Sequence, residues 1–271
     1  MASRQPALGI ITNDRHNIFQ RNAIAGIEDI ASQHGYRVVV DSFAEDPAHP
    51  GPITLDVAAM AGVLVIADAA PHDLLRQIDA MGVPMVLVSH QVPGLPIPSI
   101  IVDNAQGIAA LIQHVVEHCG RRKLVFIQGL MSQRDAIERD AAFRWEQMRY
   151  NLAVPPSRFL RGDFIESVAA DSVRALLDTD RDFDAIVASD YVMAQAAVEV
   201  LREAGIRVPQ DVCVVGFGDA PEADAAGLTT VAADVGEQGR RAARQLLSVI
   251  AGRRTRGVTV LSARLIVRQT C

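Results

Sequence analysis

The chain has 271 residues, 49% of them apolar, 21% charged and 4% aromatic, with a formal net charge of −6. That composition excludes a disordered chain and suits one large or two medium α/β domains with real cores. The acidic balance excludes a global field that attracts phosphates, so this chain alone is not expected to grip nucleic acid.

Three cysteines, Cys119, Cys213 and Cys271, are odd in number and lack C-x-x-C spacing, so neither a disulfide framework nor a zinc site is expected. A reducing cytosol fits that usage. The opening MASRQPALGIIT carries one early arginine and a short apolar run, which reads as a first strand rather than a signal peptide or membrane span. The sequence therefore predicts a cytoplasmic protein without membrane contact.

In chain order, Ala7 to Thr12 reads as a strand, and Asn17 to Gly35 as a helix with Ala23, Ile24, Ile27, Ile30 and Ala31 as its inner stripe. Val38 to Val40 resumes the sheet. A proline-rich loop through Pro47, Pro50 and Pro52 precedes a helix near Leu55 to Met60, the strand Val63 to Ile66 and a helix from His72 to Met81. Met85 to Val88 is the next strand, Ser89 to Pro98 a loop and Ile100 to Val102 a short strand. Asp103-Asn104 caps a long helix to Cys119, and Leu124 to Ile127 is a strand.

The pattern then restarts with a helix from Asp135 to Leu152, an edge strand from Phe159 to Arg161 and a helix from Ser167 to Leu177. The stretch Phe183 to Asp219 holds a complete strand, helix, strand unit. Ala185 to Ala188 is an apolar run ended by Ser189-Asp190, a sound helix start, and Met193, Ala196, Ala197, Val200 and Leu201 recur at helical steps until Gly205. Val212 to Val215 is an apolar run of the kind that a parallel strand buried on both faces requires. After Thr229-Thr230-Val231 come a helix from Asp234 to Ala251 and a closing strand from Leu261 to Val267. Ligands of such sheets bind beyond the carboxyl ends of the strands, which directs attention to Ser189-Asp190 and Phe217-Gly218-Asp219.

SDYVMAQAAVEVLREAGIRVPQDVCVVGFGD followed by LTTV resembles the C-terminal signature of the LacI/GalR family, NIFQRNAIAGIEDIASQHGYRVVV its first helix and second strand, and VPSIIVDNAQG and ARLIVRQT two further stretches. The resemblance covers essentially the whole chain. It implies an α/β fold of two Rossmann-like lobes with parallel sheets, of the periplasmic-binding-protein-like type I, joined by three crossings. Residues 6–128 with 234–258 would form the N-terminal lobe, and residues 129–233 with 259–271 the C-terminal lobe, with a first junction near Gln128-Gly129. It further implies a small-molecule effector held between the lobes, signalling by lobe reorientation in a homodimer, and DNA contact only through a helix-turn-helix that this sequence does not contain. The expected function is effector sensing for transcription regulation, without enzymatic activity. A sensory input domain of a signalling kinase or cyclase, or a periplasmic-type solute-binding protein, are the alternatives.

Sugar-binding relatives place Asp-Arg after the fourth strand, Asn before the helix-capping Asp, and Asp directly after Gly-Phe/Tyr, where this chain has Ser89-His90, Ser189 and Gly218. Much of a hydroxyl clamp is therefore missing, since sugar hydroxyls need directed donors and acceptors. Arg139, four residues before Phe143, and Phe164 in Gly162-Asp163-Phe164 match the family's pattern and suit a planar or anionic effector as well as a sugar-like one. The candidate ligand-binding residues are Asp14, Phe19, Ser89, His90, Arg139, Phe164, Ser189, Asp190 and Phe217. No catalytic residue, metal or cofactor is expected: His114 and His118 share a helix face at i, i+4 but lack a third ligand, and the serines lack a G-x-S-x-G elbow. Arg240, Arg241 and Arg244 with Arg253, Arg254 and Arg256 read as a solvated basic surface, and the apolar stretch Leu74 to Met81 as a candidate self-association face.

Overall fold

The computed structural model describes residues 5–15, 17–42, 53–253 and 257–271. The predicted proline-rich loop and two of the six arginines, Arg254 and Arg256, lie outside the described residues. In chain order the elements begin with β1 (Ala7–Thr12), α1 (Ile18–Gln33), β2 (Arg37–Ser42), β3 (Gly62–Ile66), α2 (His72–Ala80), β4 (Met85–Val88), β5 (Ser99–Val102) and α3 (Asn104–Gln113). They continue with β6 (Leu124–Gln128), α4 (Arg134–Arg149), β7 (Phe159–Arg161), α5 (Glu166–Thr179), β8 (Ala185–Ala188), α6 (Tyr191–Glu203) and β9 (Cys213–Phe217). Last come α7 (Pro221–Ala225), β10 (Thr229–Ala232), α8 (Val235–Ile250), β11 (Val258–Leu261) and β12 (Arg264–Ile266).

The helix starts expected at Asp103, Asp190 and Asp234 are capped as their sequences require. Asp103, Asp190 and Asp234 accept from the backbone N–H groups of Gln106, Met193 and Glu237 at 2.9, 2.8 and 2.7 Å. Gly205 takes φ +75 just past the end of α6. The helix expected near Leu55 to Met60 is only a single 3-10 turn, Val57–Ala59. Asp41 explains it: its carboxylate accepts from the backbone N–H groups of Thr54 and Leu55, each at 2.6 Å, and holds that stretch extended. Leu55 and Met60 are then free to cover β1, where a Cβ on Gly9 would meet Leu55 Cδ2 at 2.6 Å.

The chain forms two compact units, Met1–Val102 with Asp234–Leu261 and Asp103–Ala233 with Ser262–Cys271. In the first, six strands in the order β11-β5-β4-β3-β1-β2 are all parallel. One core cluster joins Ile27 and Ile30 of α1 to Leu8, Leu64 and Val86 of the sheet and Leu246 of α8. Another joins the opposite sheet face to Leu75 and Ile78 of α2, so the stretch proposed for self-association spends those side chains inside its own unit. Met81 stays exposed. Burying one such side chain contributes about 1.5–3 kcal/mol.

In the second unit the order is β12-β10-β9-β8-β6-β7, and only β12 runs antiparallel, against β10. Two boundaries differ from the sequence reading. β6 pairs with β7 and β8, so α3 and β6 belong to the second unit and the first crossing falls at Val102-Asp103 rather than Gln128-Gly129. Helix followed by strand reads alike on either side of a crossing, and periodicity cannot show which sheet receives the strand. The closing strand is likewise two strands: β11 adds to the first sheet beside β5, and β12 to the second beside β10.

Candidate functional site

In the second unit, α4 carries Arg139 into the protein, where it is 9% exposed. Its Nε donates to Asn104 Oδ1 and its Nη1 to the Ser189 carbonyl, both at 2.8 Å, and the guanidinium stacks 3.8 Å above the Phe217 ring. Asn104 in turn donates its Nδ2 to Asp135 Oδ1 and Glu138 Oε2, each at 2.8 Å. Burial presses the guanidinium toward neutrality, while Asp135, Asp190 and Glu138 hold its charge. Asp190, the α6 cap, is pushed up to about 6 by desolvation, against the lowering effects of the Met193 N–H and Arg139.

Phe217 is 2% exposed, and a Cβ on Gly107 of α3 would meet its Cε2 at 2.3 Å. It is thus a buried platform for Arg139. Ser189 is fully buried, its carbonyl spent on Arg139, and its Oγ has no hydrogen-bond partner among the described residues. Asp219, next after Phe217-Gly218, is drawn the other way: Arg268 donates Nη1 and Nη2 to its two carboxylate oxygens at 2.9 and 3.0 Å. The acid at that strand end therefore serves to fix the C-terminal segment.

A second polar cluster lies at the strand ends of the first unit. His90, just past β4, is 1% exposed, with Nδ1 2.6 Å from Asp68 Oδ1 and its ring 5.4 Å from that of His72. Its Nε2 is buried without a hydrogen-bond partner among the described residues, as are Thr12 Oγ1 at the end of β1 and Gln20 Oε1 on α1. Gln238 of α8 donates Nε2 to Ser89 Oγ and to the Ile100 carbonyl, both at 2.9 Å. Buried polar atoms are nearly always paired, so the orphans at the ends of β1 and β4 mark places where a polar ligand or water is expected. Backbone geometry marks the ends of β3 and β4, and also that of β7. Ala67, Ser89, Asp163 and Phe164, all just beyond strand ends, take φ between +53 and +61, a conformation that non-glycine residues adopt at a cost and that clusters at functional sites.

The sequence of residues 112–271 matches the family model of the periplasmic binding protein-like domain. The chain belongs to that family. It is 32% identical over 214 residues to the HTH-type transcriptional regulator CelR of Thermobifida fusca, covering 77% of this chain and 63% of that protein. It is 26% identical over 264 residues to the HTH-type transcriptional repressor CytR of Escherichia coli, covering 96% and 77%. Among solved structures, a CelR–cellobiose complex matches with TM-score 0.84 and 25% identity over 98% of this chain and 84% of that one. A lac repressor dimer bound to operator and an anti-inducer matches with TM-score 0.84 and 21% identity over 99% and 95%. The relatives are LacI-type regulators, as the sequence motifs imply, and they are regulators rather than enzymes.

Of the expected site residues of this family member, the structure gathers Arg139, Ser189, Asp190 and Phe217 in one unit and Ser89 and His90 in the other. Phe164 has a different neighbour: its ring packs over Gly129, where a Cβ would meet Cζ at 2.1 Å. Phe19 packs against the core of the first unit, and Asp14 accepts the Asn17 N–H through its carbonyl at 3.2 Å. Sequence reasoning missed Asn104, Asp135 and Glu138 as partners of Arg139, and Asp68 and Gln238 as partners of His90 and Ser89. The i, i+4 step from Asp135 to Arg139 was the one local signal. Glu138 directly precedes Arg139 on α4, and Asn104, Asp68 and Gln238 come from elements other than those of their partners.

The cysteine reading needs correction. Cys213 and Cys271 are joined as a disulfide 58 residues apart in sequence, and Cys119 Sγ lies 3.1 Å from Cys271 Sγ. Such a pairing has no local spacing signature, because β9 and the chain terminus meet only in the folded unit.

Proposed function

We propose that this chain is the effector-sensing core of a LacI-type transcriptional regulator, and that its effector is a small, neutral, hydroxyl-rich molecule. The buried Ser189 Oγ, without a hydrogen-bond partner among the described residues, carries the reading, because it leaves a polar group ready for a ligand hydroxyl on the residue whose carbonyl binds Arg139, an arginine whose charge is already matched. Asp135, Asp190 and Glu138 surround that guanidinium, so little positive charge is left to attract an anion. That balance favours a sugar-like effector over the anionic one that Arg139 suggested in isolation. The cellobiose bound by the related CelR points the same way. The regulators among its relatives favour this reading over a kinase or cyclase input domain or a solute-binding protein.

The effector would act by preferring one of two conformations and shifting their balance. Output would pass through a homodimer and a DNA-binding segment, as in the operator-bound lac repressor dimer. A thermal-shift panel of neutral mono- and disaccharides, nucleosides and their phosphorylated forms tests the ligand class. At a concentration about 100 times Kd, a ligand that binds only the folded chain adds about 2.7 kcal/mol of stability. A neutral sugar is expected to raise Tm, with its phosphorylated form giving less. A phosphorylated or carboxylated compound as the best ligand would overturn the reading.

A further inference from the structure

Cys213 opens β9, Cys271 ends the chain, and Cys119 follows α3, which continues through a π turn, His114–His118. All belong to the second unit. His114 Nε2 lies 3.4 Å from Cys119 Sγ, which lies 3.1 Å from Cys271 Sγ, itself bonded to Cys213. The donor atoms of His114, Cys119 and Cys271 all fall within 4.8 Å of one another. His114 and Cys213 are buried.

Two observations indicate a built group. In a regular α-helix, residues five apart point about 140° away from each other around the axis. Here the Cys119 N–H donates to the His114 carbonyl at 3.0 Å, and this i to i+5 closure brings both side chains onto one face. The donor set is the second observation. Three cysteines and one histidine form a recurrent structural zinc set, and zinc at about 2.3 Å from sulfur and about 2.0–2.1 Å from nitrogen gives tetrahedral edges of about 3.5 Å between S and N and about 3.8 Å between sulfurs. The His114–Cys119 separation of 3.4 Å already has that length, and the Cys119–Cys271 separation of 3.1 Å needs only a small opening.

We propose that, when a dithiol reduces the Cys213–Cys271 disulfide, His114, Cys119, Cys213 and Cys271 hold a thiophilic divalent cation, zinc in the first place, as a structural clamp on the segment after β12. The dithiol supplies two electrons and two protons to the two cysteine sulfurs and closes to its own disulfide. Cation binding then displaces the three thiol protons to solvent, and His114 contributes a ring-nitrogen lone pair. The clamp would tie Cys271 to β9 and to the end of α3. Cys213 and Phe217 stand at opposite ends of β9, four steps or roughly 13 Å apart. The proposal therefore does not depend on the effector reading.

Cobalt(II) is the probe. The full chain is reduced with excess dithiothreitol under anaerobic conditions, desalted and titrated, with unreduced chain as control. The expected result is saturation at one cobalt per chain, with intense thiolate-to-cobalt charge-transfer absorption and tetrahedral d–d bands, displacement by zinc, and no such signal without reduction. Cys119→Ser leaves the disulfide pair intact, so its oxidised form can be checked for native near-ultraviolet circular dichroism, and its reduced form is expected to bind at least tenfold more weakly. Absence of the charge-transfer band in the reduced chain, or titration of Cys119→Ser as wild type, would overturn the proposal.

Discussion

Arg139 shows how a buried charge is kept and what it constrains. Its hydrogen bonds to Asn104 and Ser189 and its stack on Phe217 leave it part of the frame, so Arg139→Ala should cost about 3 kcal/mol of stability, because the acids around it lose their counter-charge. Chemical denaturation measures that loss. Ser189 is the cleaner probe of binding. Its Oγ makes no hydrogen bond within the described residues, so Ser189→Ala removes an orphaned hydroxyl and should be neutral or stabilising by about 1 kcal/mol, while weakening effector binding. A substitution that destabilised the chain by more than about 1 kcal/mol would show that the hydroxyl has a structural partner.

Asp190 gives a pH prediction whose sign follows from its carboxyl being pushed up by desolvation from the ordinary aspartate value of 3.8 to about 6. The folded chain holds this proton more tightly than the unfolded chain, so the group's contribution to stability is highest below pH 4 and falls as pH rises toward 6. Asp190→Asn keeps a good cap and removes the charge. Because Asp190 is only partly buried, the expected gain is discounted to about 1 kcal/mol at pH 7.5, with none at pH 4. Equal effects at both pH values would contradict this account. The cap itself was legible from Ser189-Asp190 before an apolar run. The raised pKa was not, because desolvation depends on what packs around the carboxylate.

Two helices of the first unit cross on glycines. A Cβ on Gly26 of α1 would lie 2.1 Å from the Gly236 carbonyl oxygen, and one on Gly239 of α8 would lie 2.1 Å from the Ala23 carbonyl oxygen. Both obstacles are backbone and cannot rotate aside. Gly239→Ala should therefore cost more than the usual overpacking range of about 1–3 kcal/mol, even though alanine is the better helix former by about 1 kcal/mol. Thermal or urea unfolding checks it, and a stabilised variant would show that the crossing relaxes easily. At this scale the helices and strands were legible from 3.6-residue periodicity, caps and unbroken apolar runs. The π turn was not, since the i, i+4 pair His114 and His118 reads as ordinary α-helix. Its extra residue brings Cys119 Sγ to 3.4 Å from His114 Nε2, with the His118 ring also beside it at 5.7 Å between centroids.

For the whole molecule, alternating strands and helices with the family motifs made two α/β units legible, while sheet membership at Val102-Asp103 depended on pairings that only tertiary structure decides. Charge placement shows the same limit. Arg240, Arg241 and Arg244 read in sequence as a solvated basic surface, and on α8 all three converge on Glu237. Their Nε, Nε and Nη1 atoms lie 2.8, 3.0 and 3.4 Å from its carboxylate oxygens. Hydrogen bonds from Arg240 and Arg241 hold the Glu237 carboxyl down to about 2, so it stays ionised wherever the chain is folded at ordinary pH. Glu237 thereby matches one of the three charges and Asp234, 3.7 Å from Arg240, lies beside a second, on a chain whose net charge is −6. A protein that neutralises several phosphates shows binding that falls steeply with salt, by about 0.9 log units per phosphate for each tenfold rise. This 271-residue chain by itself should show no sequence-specific affinity for duplex DNA at about 150 mM salt, and at most a weak, salt-labile association below about 50 mM. Fluorescence anisotropy with labelled duplexes at both salts measures it. Submicromolar, sequence-dependent binding at the higher salt would show that the chain carries a DNA reader of its own, and Glu237→Gln, which removes the carboxylate shared by the three arginines while Arg240 keeps Asp234, should strengthen only the low-salt, sequence-independent component.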